Sequence, residues 1–216
     1  MVLIMSLSEK AAGYKTNWYD GWIFANFVDV MTETVLNLNK TVRKYIADNT
    51  DVLDIGCGTG SLAISLSDKC KSVKGIDVSP RMIRYAQKHN KLSNVEFSLV
   101  QKKIILSGVF KQKFDYAILK MVLHEIPEEE RINLINEAKN ISNQMIIFDW
   151  VAPQPKYAGI NTLIAEISAL REHFMNFRQW QIKGGLDGFL KRHGLKVVQE
   201  ELFKNKTGKI ARVNWQ

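Results

Sequence analysis

Residues 52–61 read Val-Leu-Asp-Ile-Gly-Cys-Gly-Thr-Gly-Ser, so a carboxylate, Asp54, stands two positions ahead of three alternate glycines, Gly56, Gly58 and Gly60. Glycine at such positions lets a backbone turn sharply and approach a ligand with no Cβ in the way. A helix starting near Ser61 would aim N–H groups at that loop. A second acid, Asp77, ends the run Gly75-Ile76-Asp77, 21 positions after Gly56. A carboxylate there suits two neighbouring hydroxyls, as on a ribose. The general dinucleotide fingerprint is G-x-G-x-x-G; here the third glycine comes early, and Asp54 would repel a pyrophosphate. The two acids instead suit a ligand with a ribose and, at its other end, an ammonium or sulfonium.

The elements that must hold these groups follow from period and punctuation. Apolar runs at 52–55, 73–76, 95–100, 116–119 and 145–148 read as strands, with helical patterns at 62–66, 82–89 and 131–140 between them. Pro127 followed by Glu128, Glu129 and Glu130 marks a helix start, because acids favour the positive end of the helix dipole. Strands alternating with helices predict right-handed βαβ units and a mostly parallel sheet covered on both faces. Ahead of them, residues 22–47 carry apolar side chains at helical spacing, broken by Asp48-Asn49-Thr50. After Val151 the rhythm changes: Pro153 and Pro155 mark an irregular crossing, then 160–174 and 186–193 look helical. Residues 195–203 and 210–215 flank a glycine-containing turn and predict an antiparallel hairpin at the sheet edge. No repeat or linker divides the chain, so it reads as one domain: a helical lid at 1–50, a core at 51–150, a cap and helix at 151–194 and the hairpin at 195–216.

The 216 residues, 46% hydrophobic and 24% charged, are those of a globular chain. No apolar stretch approaches the ~18 residues of a membrane span, and the opening Met-Val-Leu-Ile-Met lacks the basic start of a secretory signal, so a cytoplasmic location is expected. Cys57 and Cys70 belong to no CxxC or histidine-rich cluster, so neither a disulfide nor a metal site is expected. The net charge of +8 favours acidic partners. From residue 151 onward eleven Lys/Arg stand against five Asp/Glu, a surplus of +6.

By its motifs the chain resembles the class I S-adenosylmethionine-dependent methyltransferases, in particular their broad small-molecule branch. The resemblance runs from 51 to 148 on Val-Leu-Asp-Ile-Gly-Cys-Gly-Thr-Gly (52–60), Gly-Ile-Asp-Val-Ser-Pro (75–80) with Met82 following, and Phe-Asp-Tyr-Ala-Ile-Leu-Lys-Met-Val-Leu-His-Glu-Ile-Pro (114–127). It implies an α/β fold, a Rossmann-like, doubly wound, seven-stranded sheet with an antiparallel C-terminal hairpin, and S-adenosylmethionine as cofactor. Position by position it implies a loop of Gly56, Cys57, Gly58 and Gly60 under the methionine portion and ribose, with Asp54 near the amino group. It likewise implies Asp77 on the ribose and Val78 and Met82 around the adenine. Lys120 is either a cofactor-lining residue or a solvated strand end. Where the family often has an acid on the adenine amino group, this chain has Gln101, whose amide oxygen still accepts; weaker adenine binding is expected. The loop at 102–108 is also atypical.

Methyl transfer from a sulfonium asks for alignment and exclusion of water, and for a base only where the acceptor must lose a proton. Candidate groups lie where the strands' carboxyl ends would be. Tyr14, Trp18 and Tyr19, with Trp22 and Phe24, form either a lid over the cofactor and substrate or a staple for the first helix. His124 and Glu125 serve as base or substrate contacts, or simply start the next helix; His173 is a third catalytic candidate. Residues 157–178 form a substrate cap in which Arg171 or Arg178 binds an acidic group, or a surface helix packed by Ile164, Ile167 and Phe174. An Asn-Pro-Pro-Tyr tetrad, a Pro-Cys nucleophile and a basic cluster interleaved with aromatics are all missing. The favoured reading is therefore transfer to a small molecule. RNA or protein methylation through the basic C-terminal third comes second, and a non-catalytic cofactor-binding subunit third. A nicotinamide dehydrogenase is disfavoured by the early third glycine and Asp54.

Overall fold

The computed structural model describes residues 37–101, 106–156, 171–203 and 205–215. Seven strands form one sheet: β1 (Asp51–Ile55), β2 (Ser72–Asp77), β3 (Val95–Leu99), β4 (Phe114–Lys120), β5 (Ser142–Trp150), β6 (Lys196–Leu202) and β7 (Gly208–Asn214). Their order is β3-β2-β1-β4-β5-β7-β6. The first five pair in parallel, while β7 lies antiparallel between β5 and β6. The direction of winding thus reverses between β1 and β4. At such a switch point a crevice opens beyond the carboxyl ends of the strands.

The two-residue period of a strand sorts the apolar side chains into two layers. Val52, Ile118 and Ile146 pack on one face with α1 (Leu38–Arg43), α2 (Ser61–Leu66) and α3 (Pro80–His89), through Leu38, Val42, Leu62, Leu66, Ile83 and Ala86. Leu53, Ala117, Leu119, Met145 and Ile147 pack on the other, against α4 (Leu106–Val109), α5 (Glu128–Ile141), α6 (Arg171–Ile182) and α7 (Gly185–Arg192). Both faces are covered, as the apolar runs of a parallel sheet require.

Most described strands and helices fall where the sequence places them; α4 stands in a segment read as a loop, and two further differences are instructive. β5 runs well beyond the expected 145–148, because the chain passes straight from Ile141 of α5 into a strand paired on both sides. A 3-10 turn, Leu123–Glu125, stands between β4 and α5. The expected lid, with Tyr14, Trp18 and Tyr19, lies outside the described residues, as does most of the helix expected at 160–174; α1 and α6 are the described parts of those two regions. Cys57 and Cys70 are both free and buried. Among the described residues no helix is long and apolar enough to cross a membrane.

Candidate functional site

At the end of β1 the chain folds back over β2. The N–H groups of Gly56 and Cys57 both donate to Ile76 O, at 2.8 and 3.0 Å, and Gly60 N–H donates to Cys57 O at 2.9 Å. Gly56 and Gly60 take φ of 73° and 79°. A Cβ on Gly56 would meet Val122 Cγ2 at 2.6 Å, and one on Gly60 would meet the Phe97 ring at 2.4 Å. Backbone conformation and space therefore both demand glycine there.

The two acids flank this loop. Asp54, 1% exposed, sits within β1 in register with Gly75 and Ile118. Asp77 ends β2, where its Oδ2 accepts from Gly58 N–H and its Oδ1 from Ser79 N–H, both at 2.8 Å. Each carboxylate oxygen has two lone pairs, so bracing the loop is compatible with gripping a diol. Ser79 caps α3, its hydroxyl accepting from Met82 N–H at 3.2 Å, which places Met82 on the first turn with Val78 just ahead of it. This cradle fits a ligand with a ribose and a cationic end: a backbone floor without side chains, a buried acid below and a second acid at its side.

Three expected cofactor residues take more particular places. The Cys57 side chain joins the core beside Phe97, so only its backbone lines the loop. Burial, then the negative charges of Asp77 and Asp54, push its thiol well above the usual range, and it stays protonated. Lys120 is no solvated strand end: its Nζ donates to Asn39 Oδ1 at 2.9 Å, and Asn39 Nδ2 reaches Ser61 Oγ at 3.4 Å. α1 is thereby tied to β4 and to the start of α2. Gln101 is exposed, two residues beyond β3.

Beyond β4 and β5 a second constellation forms. His124 is 1% exposed. Its Nδ1 lies 2.8 Å from Asp149 Oδ1, and its backbone N–H donates to Asp149 Oδ2 at 3.2 Å. Trp150 N–H donates to Asp149 Oδ1 at 2.7 Å. Asp149, already accepting two backbone N–H groups, accepts a hydrogen bond from His124 Nδ1–H as well, so Nε2 lies on the far side of the ring from this pair. α6 covers this corner with a row at helical spacing: His173 and Phe177 stand edge-on to the His124 ring at 5.6 and 6.2 Å, and Trp180 Nε1–H donates to Trp150 O at 2.9 Å. Arg131, fully buried, holds the turn to α6 by donating to Leu123 O at 2.7 Å and Asn176 O at 3.1 Å. Burial lowers its pKa.

His173, apart in the sequence reading, is thus brought to the pair His124 and Glu125. The suggested anchor Arg178 is not: it is exposed and outside the inward row of α6. The side chain of Arg171 lies outside the described residues. Sequence reasoning missed Asp149, Asn39 and Arg131. Asp149 had a signal, since an acid ending an apolar strand is also the position of Asp77.

Sheet order, reversed final strand and glycine cradle together define the fold of class I methyltransferases. A family model described as a methyltransferase domain matches residues 52–144. Over these residues the chain is similar to the methyltransferase domains its motifs resemble. It is similar to the magnesium protoporphyrin IX methyltransferase of Synechocystis PCC 6803 with S-adenosylhomocysteine bound, with TM-score 0.63, 19% identity and coverage of 92% and 91% of the two chains. It is similar also to the N-methyltransferase NodS of Bradyrhizobium japonicum WM9 in complex with S-adenosylhomocysteine, with TM-score 0.60, 16% identity and 95% of each chain covered. Among curated relatives, the malonyl-[acyl-carrier protein] O-methyltransferase of Acetivibrio thermocellus is 32% identical over 119 residues, 54% of this chain and 38% of that protein. The ribosomal protein L11 methyltransferase of Caldicellulosiruptor saccharolyticus is 29% identical over 117 residues, 54% and 36%. The chain spans well under half the length of these curated relatives.

Proposed function

We propose that this chain binds S-adenosylmethionine at the glycine cradle and transfers its methyl to a small-molecule acceptor held under α6. The observation that carries the reading is the Asp77 carboxylate, which braces Gly58 and the turn into α3 while standing where a ribose diol would lie. Asp54 offers its charge to the amino group, and Val78 and Met82 offer apolar surface to the adenine. Bound there, the cofactor supplies a methyl on a good leaving group, which an acceptor lone pair takes in line while the C–S pair returns to sulfur. What falls to the chain is to hold the two reactants in line and keep water out. His124, Glu125 and His173 form the acceptor end.

Two observations favour a small acceptor over a nucleic acid. α6 packs directly on the 3-10 turn, with Asn176 Nδ2 donating to Glu125 O at 2.7 Å. Part of the basic surplus is spoken for as well, since Lys183 pairs with Glu128, an acid from outside the C-terminal third. The relatives' own names span a ribosomal protein, an acyl-carrier conjugate and a porphyrin. Calorimetric titration with S-adenosylmethionine, S-adenosylhomocysteine and NADH tests the cofactor. Micromolar binding of the first two and none of the third is expected, with the affinity lost in Asp77→Ala. The thermal unfolding midpoint of that variant separates lost contact from lost fold. Preference for NADH, or no binding by folded wild type, would remove the reading. Against RNA, a steep fall of affinity with salt would replace the small acceptor by a nucleic acid.

A further inference from the structure

We infer that His124, Glu125 and His173 form a site for one divalent transition-metal ion. One ligand atom from each lies within 4.8 Å of the others, and His124 Nε2 is 3.9 Å from Glu125 Oε1. With metal–ligand bonds of about 2.0–2.2 Å, neighbouring ligands stand roughly 3–3.5 Å apart. The cluster must therefore contract by about 1 Å on binding, and it has members able to do so. Glu125 is 45% exposed and His173 half-buried on α6, whereas His124 is locked.

That lock is an independent pointer to a ligand. A buried carboxylate on the far nitrogen of an imidazole fixes the tautomer, aims the other lone pair and raises its basicity, which is how ligating histidines are held. Asp149, fully buried, does this for His124. Two imidazole nitrogens and one carboxylate suit borderline ions such as zinc or cobalt(II), whereas magnesium and calcium prefer all-oxygen shells. Three protein ligands leave a coordination position open. The sequence alone predicts no metal, because Glu125 and His173 are 48 positions apart and neither cysteine is near them.

The site lies two residues beyond Val122, whose methyl closes on Gly56 of the cradle. Resting on the methyl-transfer reading, the open position would take an acceptor hydroxyl or thiol. The ion lowers that group's pKa, its proton passes to water, and the lone pair left on oxygen or sulfur is the nucleophile.

The test is titration of the chelator-treated full chain with zinc chloride, alongside cobalt(II) absorption. One equivalent should bind. His173→Ala and Glu125→Gln should each weaken binding by roughly tenfold or more and reduce the cobalt bands, while S-adenosylhomocysteine affinity and the unfolding midpoint hold. Asp149→Asn should weaken it by roughly 10–100-fold; should that variant fail to fold, the first two still decide. No binding by wild type, or binding undiminished in both His173→Ala and Glu125→Gln, overturns the site. Cofactor binding without zinc removes this inference alone. Zinc binding without cofactor binding keeps the site and removes the methyl-transfer reading.

Discussion

The two ends of the crevice are built by different means. At the cradle the contacts are borne by backbone: Asp77 reaches Gly58 across 19 residues and Ser79 across two, each time at a main-chain N–H. At the histidine cluster they converge through side chains from far along the chain. His124 meets Asp149 across 25 residues, Asn176 reaches Glu125 across 51, and Arg131 reaches Asn176 across 45. A site made of backbone shape tolerates little change at a few positions. A site made of converging side chains spreads its dependence over β4, β5, α5 and α6.

The contrast breaks hardest at Gly60. Gly60→Ala puts a methyl 2.4 Å from the Phe97 ring at a φ of 79°. The left-handed conformation costs a non-glycine residue about 1–2 kcal/mol and crowding a packed core about as much again. A loss of about 3 kcal/mol in urea unfolding is expected, with cofactor binding abolished. At the other end Arg131→Ala removes two hydrogen bonds to carbonyls and a guanidinium 4.9 Å from the Trp180 ring. It should cost about 2–3 kcal/mol and leave S-adenosylhomocysteine affinity intact. Equal damage to cofactor binding by both variants would mean that the two ends are one cooperative unit.

The same difference decides what the sequence could tell. Gly56, Gly58, Gly60 and Asp77 sit at fixed spacing because one loop and one strand end set their geometry, so cradle and sheet were legible from pattern. Strand limits were legible too, except at β5, whose length depends on pairing with β7 rather than on its own residues. The histidine cluster was visible only as separate residues, since no local period links His124 to Asp149 or His173. Arg131 looks like the start of a helix face; only the packing of α6 makes it a buried clamp. Arg178 reads as an anchor from its type, yet the inward row of α6 runs through His173, Phe177 and Trp180 and leaves it outside.

A smaller effect sharpens the picture of α6 as a cover. Trp180→Phe keeps an aromatic in a fully buried place and deletes the Nε1–H bond to Trp150 O. A loss of about 1–2 kcal/mol is expected, from the orphaned carbonyl and the lost ring volume. Zinc affinity should fall with it if α6 positions His173, and stay level if His173 is held by its own turn alone.

The smallest effect tests how α5 is fastened to the segment after α6. Glu128 pairs with Lys183, and Arg192 stands 4.0 Å away. The hydrogen bond from Lys183, opposed by partial burial and reinforced by the nearby positive charges, lowers the Glu128 carboxyl below its ordinary value. An unfolded glutamate titrates near pH 4.3, so the native chain holds this proton less tightly than the unfolded one. The pair's contribution is therefore present above about pH 4.3 and disappears as pH falls through the depressed native value. Because the pair is partly solvated, the contribution is about 0.5 kcal/mol at neutral pH. Glu128→Gln should lower the urea midpoint slightly at pH 7, and the gap from wild type should close on acidification. A gap that stays constant down to pH 3 would show that the glutamate acts through packing at the start of α5, and that its charge fastens nothing.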